Sequence, residues 1–437
     1  MHVDSRTRSE LELFHPRQGG RTVFEHIDRS RSVAGRRKLR QRLSEPISDP
    51  NLLQKHFDAL RYLAASPADL TLPDGLVEEV EHYLETPWAT LSDRGMVAGV
   101  VESAWVNLRY PDLLKLARNG LDAVGTLVRA LPPRLAPLTD DAVPDALRIP
   151  ARNIMALSEK LALPALTSGK RVTAALRADS ALRKKHRGDL VRFLDQWAEL
   201  EAHVAAARLL SEGYSLPILD PAEPLGIRAE GVGHPFLDDP VLNPLELSEE
   251  RNVLFLTGPN MAGKTTYLRS VAVSIYLAHC GMPVPAERFH FTPLEALFTS
   301  LGPEDDLQGG VSLFLAEVRR VRDVLRRVAA GGRTLAIFDE AFRGTNVHDA
   351  REASRLLILG AAGARSSGFL FASHLSELAP DLEGVEGVAF ACFDGEVEGE
   401  HATFDHRLRS GVSSRRLGLE ILRREGLPAL LHRLGSR

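Results

Sequence analysis

The most constraining stretch of the chain is Gly258-Pro259-Asn260-Met261-Ala262-Gly263-Lys264-Thr265, which fits G-x-x-x-x-G-K-[ST], the Walker A pattern. An apolar run, residues 253–256, precedes it, and an amphipathic helical stretch reaching about Cys280 follows it. A strand, a tight turn and a helix in that order aim backbone N–H groups and the positive end of a helix dipole at one point, as a phosphate requires. Lys264 is a compact charge able to reach the β- and γ-phosphates of a nucleotide, where the planar fork of arginine fits poorly. Thr265 offers a hydroxyl to Mg²⁺. The plainer reading, a chance Gly-rich turn before a helix, leaves the flanking strand unexplained.

Composition sharpens that reading. Lys and Arg total 54, but only eight are lysines, and Lys264 is the only one after Lys185. A coding bias toward arginine accounts for the scarcity, and a phosphate loop resists that drift. With 437 residues, 44% apolar and 26% charged, the chain has the length of roughly two to three globular domains. It is not a disordered chain, a collagen or a disulfide scaffold. No apolar run approaches the ~20 residues of a membrane span, and the N-terminus lacks the apolar core of a signal peptide. Two cysteines, Cys280 and Cys392, suit neither a disulfide framework nor a Cys-rich metal site, so the expected compartment is the reducing cytoplasm. The net charge of −4 argues against bulk cationic binding of nucleic acid and leaves that role to local patches.

Two halves follow. Residues 1–215 read as helices separated by breaks near Pro111, Pro132-Pro133 and Pro164. Seven basic residues lie between Arg29 and Arg42 with no acid among them. The longest helix signal covers residues 189–210, where Leu190, Phe193, Leu194, Trp197, Leu200 and Val204 form one stripe. Residues 215–245 are rich in Pro and Gly and predict short strands and turns. From about 250, apolar runs at 253–257, 297–300, 334–338 and 368–372 alternate with helical stretches, the pattern of an α/β domain with a buried, largely parallel sheet. Residues 413–426 read as an Arg-rich helix.

Three further elements complete a nucleotide site. The strand 334–338 ends in Asp339-Glu340; Asp339 is the Mg²⁺ candidate and Glu340 the group that polarises an attacking water. An ordinary strand ending in a solvated acidic turn is the competing reading. A small-molecule kinase would need an acceptor pocket, which nothing announces. The strand 368–372 ends in Ser373-His374, and a His at that sheet edge faces the ligand crevice; it is equally readable as a surface His. The Gly-rich turn at residues 305–312 ends in Ser312 before a helix, a second anion-seeking helix end. It makes sense if it closes over the nucleotide of a partner subunit, and residues 342–349 fall at the same seam.

These residues resemble the MutS family, the ATPases of DNA mismatch repair. Thr257 to Thr266 resembles its phosphate loop, Asp339-Glu340-Ala341-Phe342-Arg343-Gly344-Thr345 its D-E-x-x-R-G-T segment, and Phe371-Ala372-Ser373-His374 its F-A-T-H segment. Asp305 to Glu317, with Ser312, Phe314 and Glu317 in place, resembles its D-D-L-x-x-G-x-S-x-F-x-x-E segment. Gly233-His234-Pro235 and Asn243-Pro244-Leu245 resemble the family's lead-in, and Gly411 to Leu419 its closing G-x-x-x-x-x-x-G-L. Val3-Asp4, Thr7, Leu11-Glu12-Leu13 and Gly35-Arg36 resemble the opening of its helical core domain.

The resemblance implies a multidomain chain: an all-α core/lever domain over 1–215, its clamp short or absent, then an α/β P-loop (ABC-like) ATPase domain over 216–437 that ends in a helical dimerisation segment. It implies ATP and Mg²⁺ as ligands, with Gly258 to Thr266 around the nucleotide and Asn260 and Lys264 on its phosphates. Ser312 and Asp349 would act across a homodimer, His374 would sense the γ-phosphate, and His406 would pack on adenine opposite a position that here falls near Val241. The family's mismatch-reading and connector domains have no counterpart in these residues. Candidate DNA contacts are the basic run Arg183, Lys184, Lys185 and Arg187, which also reads as a solvated helix surface. The expected function is an ATPase that dimerises and clamps duplex or branched DNA, without strong mismatch preference. The alternative is an ATP-gated protein–protein switch with no DNA role.

Overall fold

The computed structural model describes residues 1–17, 19–86, 105–106, 108–166, 172–259, 261–302, 313–374, 376–398 and 401–413. The chain divides into two compact units. One holds residues 1–27, 45–54 and 213–437; the other holds residues 28–44 and 55–212.

The first unit is α/β. Its strands, in chain order, are β1 (His2–Val3), β2 (Ile218–Leu219), β3 (Gly226–Val232), β4 (Asn243–Ser248), β5 (Val253–Thr257), β6 (Ala286–Phe291), β7 (Ala296–Ser300), β8 (Thr334–Asp339), β9 (Gly368–Ser373), β10 (Val388–Glu398) and β11 (His401–Ser410). A seven-stranded sheet runs β1-β7-β8-β9-β5-β10-β11 and a smaller one β2-β6-β3-β4. The large sheet is parallel except for the β10–β11 ladder. Parallel strands covered on both faces need apolar side chains throughout, and every residue of β5 and β8 is buried. Phe338 and Phe371 stack at 5.2 Å between centroids within that core. The helices Lys264–His279, Leu313–Ala329 and Val347–Ala362 make the crossovers. Because β9 lies between β5 and β8, the ends of all three strands face one crevice.

Residues 1–27 and 45–54 group with this unit, whereas the sequence reading assigned them to the helical half. The reason is main-chain pairing with distant residues. β1 adds a parallel edge strand to β7, with His2 opposite Ala296, the Met1 amine donates to Pro46 O at 2.6 Å, and Ile47 N donates to His279 O at 2.6 Å.

The second unit is helical among its described residues. The expected stripe on Arg187–Arg208 is buried, from Leu190 to Val204, and packs with Tyr83, Leu127 and Ile154. Pro111 opens a helix as predicted, but Pro132 and Pro133 do not break it, since Pro111–Leu135 carries both in its last turn. Pro164 likewise falls within Asp145–Leu166.

Candidate nucleotide site

The site begins where β5 ends. Gly258 has φ 145°, and a Cβ there would stand 2.5 Å from the Phe393 carbonyl oxygen, so only glycine fits the exit from the strand. Gly263, φ 108°, caps the helix Lys264–His279. Met261 adopts φ 70° and is 85% exposed. Ala262 is buried without positive φ, so the methyl it carries in place of a glycine is accommodated. Lys264 Nζ donates to Gly258 O at 2.6 Å and Pro259 O at 2.9 Å. Burial lowers its pKa, although Glu340 and Asp339 oppose that.

Two acids stand opposite. Thr265 Oγ1 donates to Asp339 Oδ2, while Asp339 Oδ1 is buried with no hydrogen-bond partner. Burial raises the Asp339 pKa against the pull of Thr265 and Arg343. A hydroxyl beside a buried, underbonded carboxylate is a hard-oxygen donor set of the kind Mg²⁺ takes, so the residues present fit that ion. Glu340 follows in the left-handed region at φ 51°, its N–H donating to Ala372 O at 2.8 Å, which ties the turn to the neighbouring strand. Its carboxylate is 3.0 Å from Arg343 Nε and 3.5 Å from His374 Nδ1. The His374 hydrogen bond is the main influence lowering the Glu340 pKa, and the same bond raises that of His374. Arg343 Nη2 also donates to Asp339 O at 3.2 Å and Nε to Glu340 O at 3.1 Å. Sequence reasoning placed Arg343 only within the seam segment 342–349 and gave it no contact with the acids; its spacing three and four residues beyond the acid pair was the available signal.

A cavity of about 630 Å³ opens beside the loop, within the usual range for small-molecule pockets. Lys264, Thr265, Thr266 and Glu340 line it at one end, and His406 and Val241 line it too. His406 Nδ1 lies 3.1 Å from Ala262 O. Asn243 fixes that strand, donating to His406 O at 2.9 Å and accepting from Leu408 N at 2.7 Å. His234, whose pKa burial lowers to about 4, lines the same cavity and packs edge-on against Phe236.

Asn260 and Ser312, the turn 305–312 and the Arg-rich stretch beyond 413 lie outside the described residues. Asp349 sits in the first turn of Val347–Ala362, where its N–H donates to the Asn346 side chain at 2.9 Å and its carboxylate accepts from Asn346 Nδ2 at 2.7 Å.

The candidate DNA contacts need correction. Arg183 is 7% exposed; it pairs with Asp179 at 2.9 Å, lies over the Tyr83 ring and donates to Thr86 O at 2.8 Å. Arg187 donates to Leu84 O at 2.7 Å, capping the helix Leu76–Glu85. The Arg183 guanidinium is not the phosphate contact expected of it; Lys184, Lys185 and Arg187 remain exposed. Five of the seven basic residues from Arg29 to Arg42 pair with acids: Arg29 with Glu212, Arg36 with Asp28, Arg37 with Glu81, and Lys38 and Arg42 with Glu199.

Among the described residues no helix is long and apolar enough to cross a membrane, and Cys280 and Cys392 are buried free thiols. Residues 254–433 match the family model for MutS domain V, a match that takes in the loop after β5, both acids, His374 and His406. That domain is the ATPase domain of the MutS family, and this part of the chain is similar to it.

Proposed function

We propose that the chain is a Mg²⁺-dependent ATP hydrolase whose two nucleotide sites are completed across a homodimer and whose cycle controls a grip on DNA. The observation that carries the hydrolytic part is the convergence of Lys264, Asp339, Glu340 and His374 at the ends of β5, β8 and β9, with Lys264 and Glu340 lining one cavity. Thr265 and Asp339 would hold Mg²⁺, which offsets phosphate charge when bound. Lys264 neutralises phosphate oxygens, and its present acceptors are only backbone carbonyls. Glu340 accepts the proton of the water that attacks the terminal phosphorus as the bond to ADP breaks. His374 and Arg343 hold the Glu340 carboxylate in place. His406 and Val241 bracket the base, and Ser312 and Asp349 serve the partner's nucleotide.

For DNA, the match of residues 254–433 to MutS domain V and the exposed Lys184 and Lys185 are the support. The second reading, an ATP-gated protein–protein switch, is favoured by the internal pairing of the run 29–42 and of Arg183. ATP hydrolysis measured against duplex, mismatched, branched and single-stranded DNA, with oligomeric state followed in parallel, separates them. Stimulation that falls steeply with salt supports the clamp. No stimulation and no binding at low salt leaves the switch. In the same assay Glu340→Gln should bind ATP yet trap the dimer, and unimpaired turnover would remove Glu340 from its role.

A further inference from the structure

We propose that an extended peptide of a partner protein, carrying an acidic residue between apolar ones, adds as a strand to the outer edge of β11, in the cleft between β11 and β4.

β11 is the last strand of the large sheet, so one side of its main chain has no strand beside it. The ladder fixes which groups lie on that side. Ala391 stands opposite Ser410, and Gly411 N donates to Phe390 O at 3.1 Å. In an antiparallel ladder, a bond between the residues just beyond a facing pair marks that pair as one that exchanges no bonds of its own. Ser410, and Leu408 two residues before it, therefore turn their N–H and C=O groups outward. Asn243, the first residue of β4, already uses part of this edge. Its side chain donates to His406 O at 2.9 Å and accepts from Leu408 N at 2.7 Å. One side-chain amide thus makes the two bonds that a residue of a parallel neighbouring strand would make across Arg407. The next groups in the same register are Leu408 O and Ser410 N. Among the described residues neither has a partner, and Ser410 is exposed.

There is room for a strand at this place. A cleft of about 600 Å³ is lined by Leu408, Arg409 and Ser410 on one side and by Leu245 and Glu246 of β4 on the other. Leu254 and Ala391 also line it, and the register puts both on the same sheet face as Leu408 and Ser410. Arg409 projects to the opposite face and is 49% exposed. Arg228, Arg251 and Arg288 border the cleft as well, so four guanidiniums line it against the carboxylates of Glu230 and Glu246. The ion pairs of these three arginines are loose, at 3.4–3.5 Å, and their side chains are more than half exposed. Each guanidinium has five donors, more than one such carboxylate can satisfy.

A peptide running parallel to β11 would donate from one residue to Leu408 O and accept at the same residue from Ser410 N. That residue shares a face with Arg409, so a glutamate there meets the guanidinium. Its two neighbours turn to the face of Leu254 and Leu408. A second copy of this chain fits the edge badly. Edges related by a twofold axis run antiparallel, and they would set Arg407 and Arg409 against their own copies. A charged edge repels its like and accepts a strand of opposite charge.

The test is the fluorescence anisotropy of a labelled, end-blocked peptide, Val-Glu-Val-Glu-Val, titrated with the full chain. Binding should saturate below about 1 mM. Ser410→Pro removes the N–H donor at a point where an edge strand tolerates proline, and should weaken binding at least about tenfold. Methylating both glutamate amide nitrogens of the peptide should cost as much, and it decides the matter if Ser410→Pro fails to fold. Arg409→Glu should lose the glutamate peptide and bind Val-Lys-Val-Lys-Val instead. No binding of the unmodified peptide, equal affinity for its methylated form, or unchanged affinity in Arg409→Glu overturns the inference. Displacement of the peptide by an equal concentration of a single-stranded oligonucleotide also overturns it, and would give these arginines to nucleic acid.

Discussion

Two lysines, one in each unit, show how the same side chain is put to different uses. Lys38, in the helical unit, lies 3.2 Å from Glu199 and 3.3 Å from Asp195. Burial works against its charge, yet the two carboxylates overcome it and raise its pKa. Lys264 is more enclosed, at 5% exposure, and donates only to neutral carbonyls. Burial dominates there and lowers its pKa. A cation whose charge is matched by fixed carboxylates has finished its work when the chain folds. A cation held against carbonyl dipoles still favours an anion, and the protein bears the desolvation cost until one arrives.

The largest effect should come from breaking that contrast at Lys264. Lys264→Met keeps the aliphatic stem and removes the charge. ATP hydrolysis should fall by at least about two orders of magnitude, the scale of losing a preorganised electrostatic contact to the transition state. The melting temperature should hold or rise, because the cost of burying the ammonium disappears with it. A variant that kept most of its turnover would show that Lys264 is a structural lysine like Lys38.

The next effect belongs to the helical unit, where a buried acid does structural work. Glu201 accepts from Arg31 N and Ser32 N, both at 2.7 Å, at the start of the helix Val33–Ser44. Gly35 permits this, since a Cβ there would stand 2.4 Å from Glu201 Oε2. Gly35→Ala must displace the carboxylate from those donors, at a cost of about 2–3 kcal/mol. Denaturant unfolding should register that loss, while ATP binding under native conditions is retained. An unchanged midpoint would mean that the carboxylate is not held as tightly as its bonds imply.

The two units also differ in what their sequences disclose. The strand–helix alternation from 253 to 373 was readable because buried parallel strands must be continuously apolar, and the glycine-bounded turn after β5 stood out because its pattern is contiguous in the chain. The β10–β11 ladder was not, because 388–410 mixes Asp, Glu and His into a half-exposed hairpin without a clean period-two pattern. β1 carries two residues, and its partner β7 lies almost 300 positions away. The helical stripe on Arg187–Arg208 was plain from its spacing, but the charged residues around it were misleading. A run such as Arg183 to Arg187 shows the sign of its charge and not its partners: Asp179 lies one turn back, but Tyr83, Leu84 and Thr86 come from a helix about a hundred residues earlier.

The helical unit's polar core should also set a pH response. His56 Nδ1 and His203 Nε2 are 3.0 Å apart, and Arg42 Nη2 is 3.2 Å from His203 Nδ1. Burial first, then Arg42, hold His56 down to about 4; the same two causes, with His56 added, keep His203 well below the usual histidine value. Both folded values lie under the unfolded value of about 6.5. Their contribution to stability is therefore complete above pH 6.5 and drains away as pH falls toward 4, because the unfolded chain takes up protons that the folded one refuses. Glu199, with a pKa near 2, stays ionised throughout that window. From pH 7 to pH 5 the share due to His56 is about 2 kcal/mol. His56→Gln should flatten the decline in stability by that amount, and an unaltered slope would assign the titration to other groups.

The smallest effect returns to Lys38. Lys38→Met removes two ion pairs whose partners Asp195 and Glu199 are 57% and 24% exposed, so solvent already screens much of their attraction. The loss should be about 1 kcal/mol, with ATP hydrolysis unchanged. Arg42 would still pair with Glu199 at 2.8 Å, which limits the damage to one member of the network. A measurable fall in turnover would contradict the division drawn between the two lysines, because it would mean that a cation closed within fixed carboxylates of the helical unit nevertheless acts on the nucleotide site.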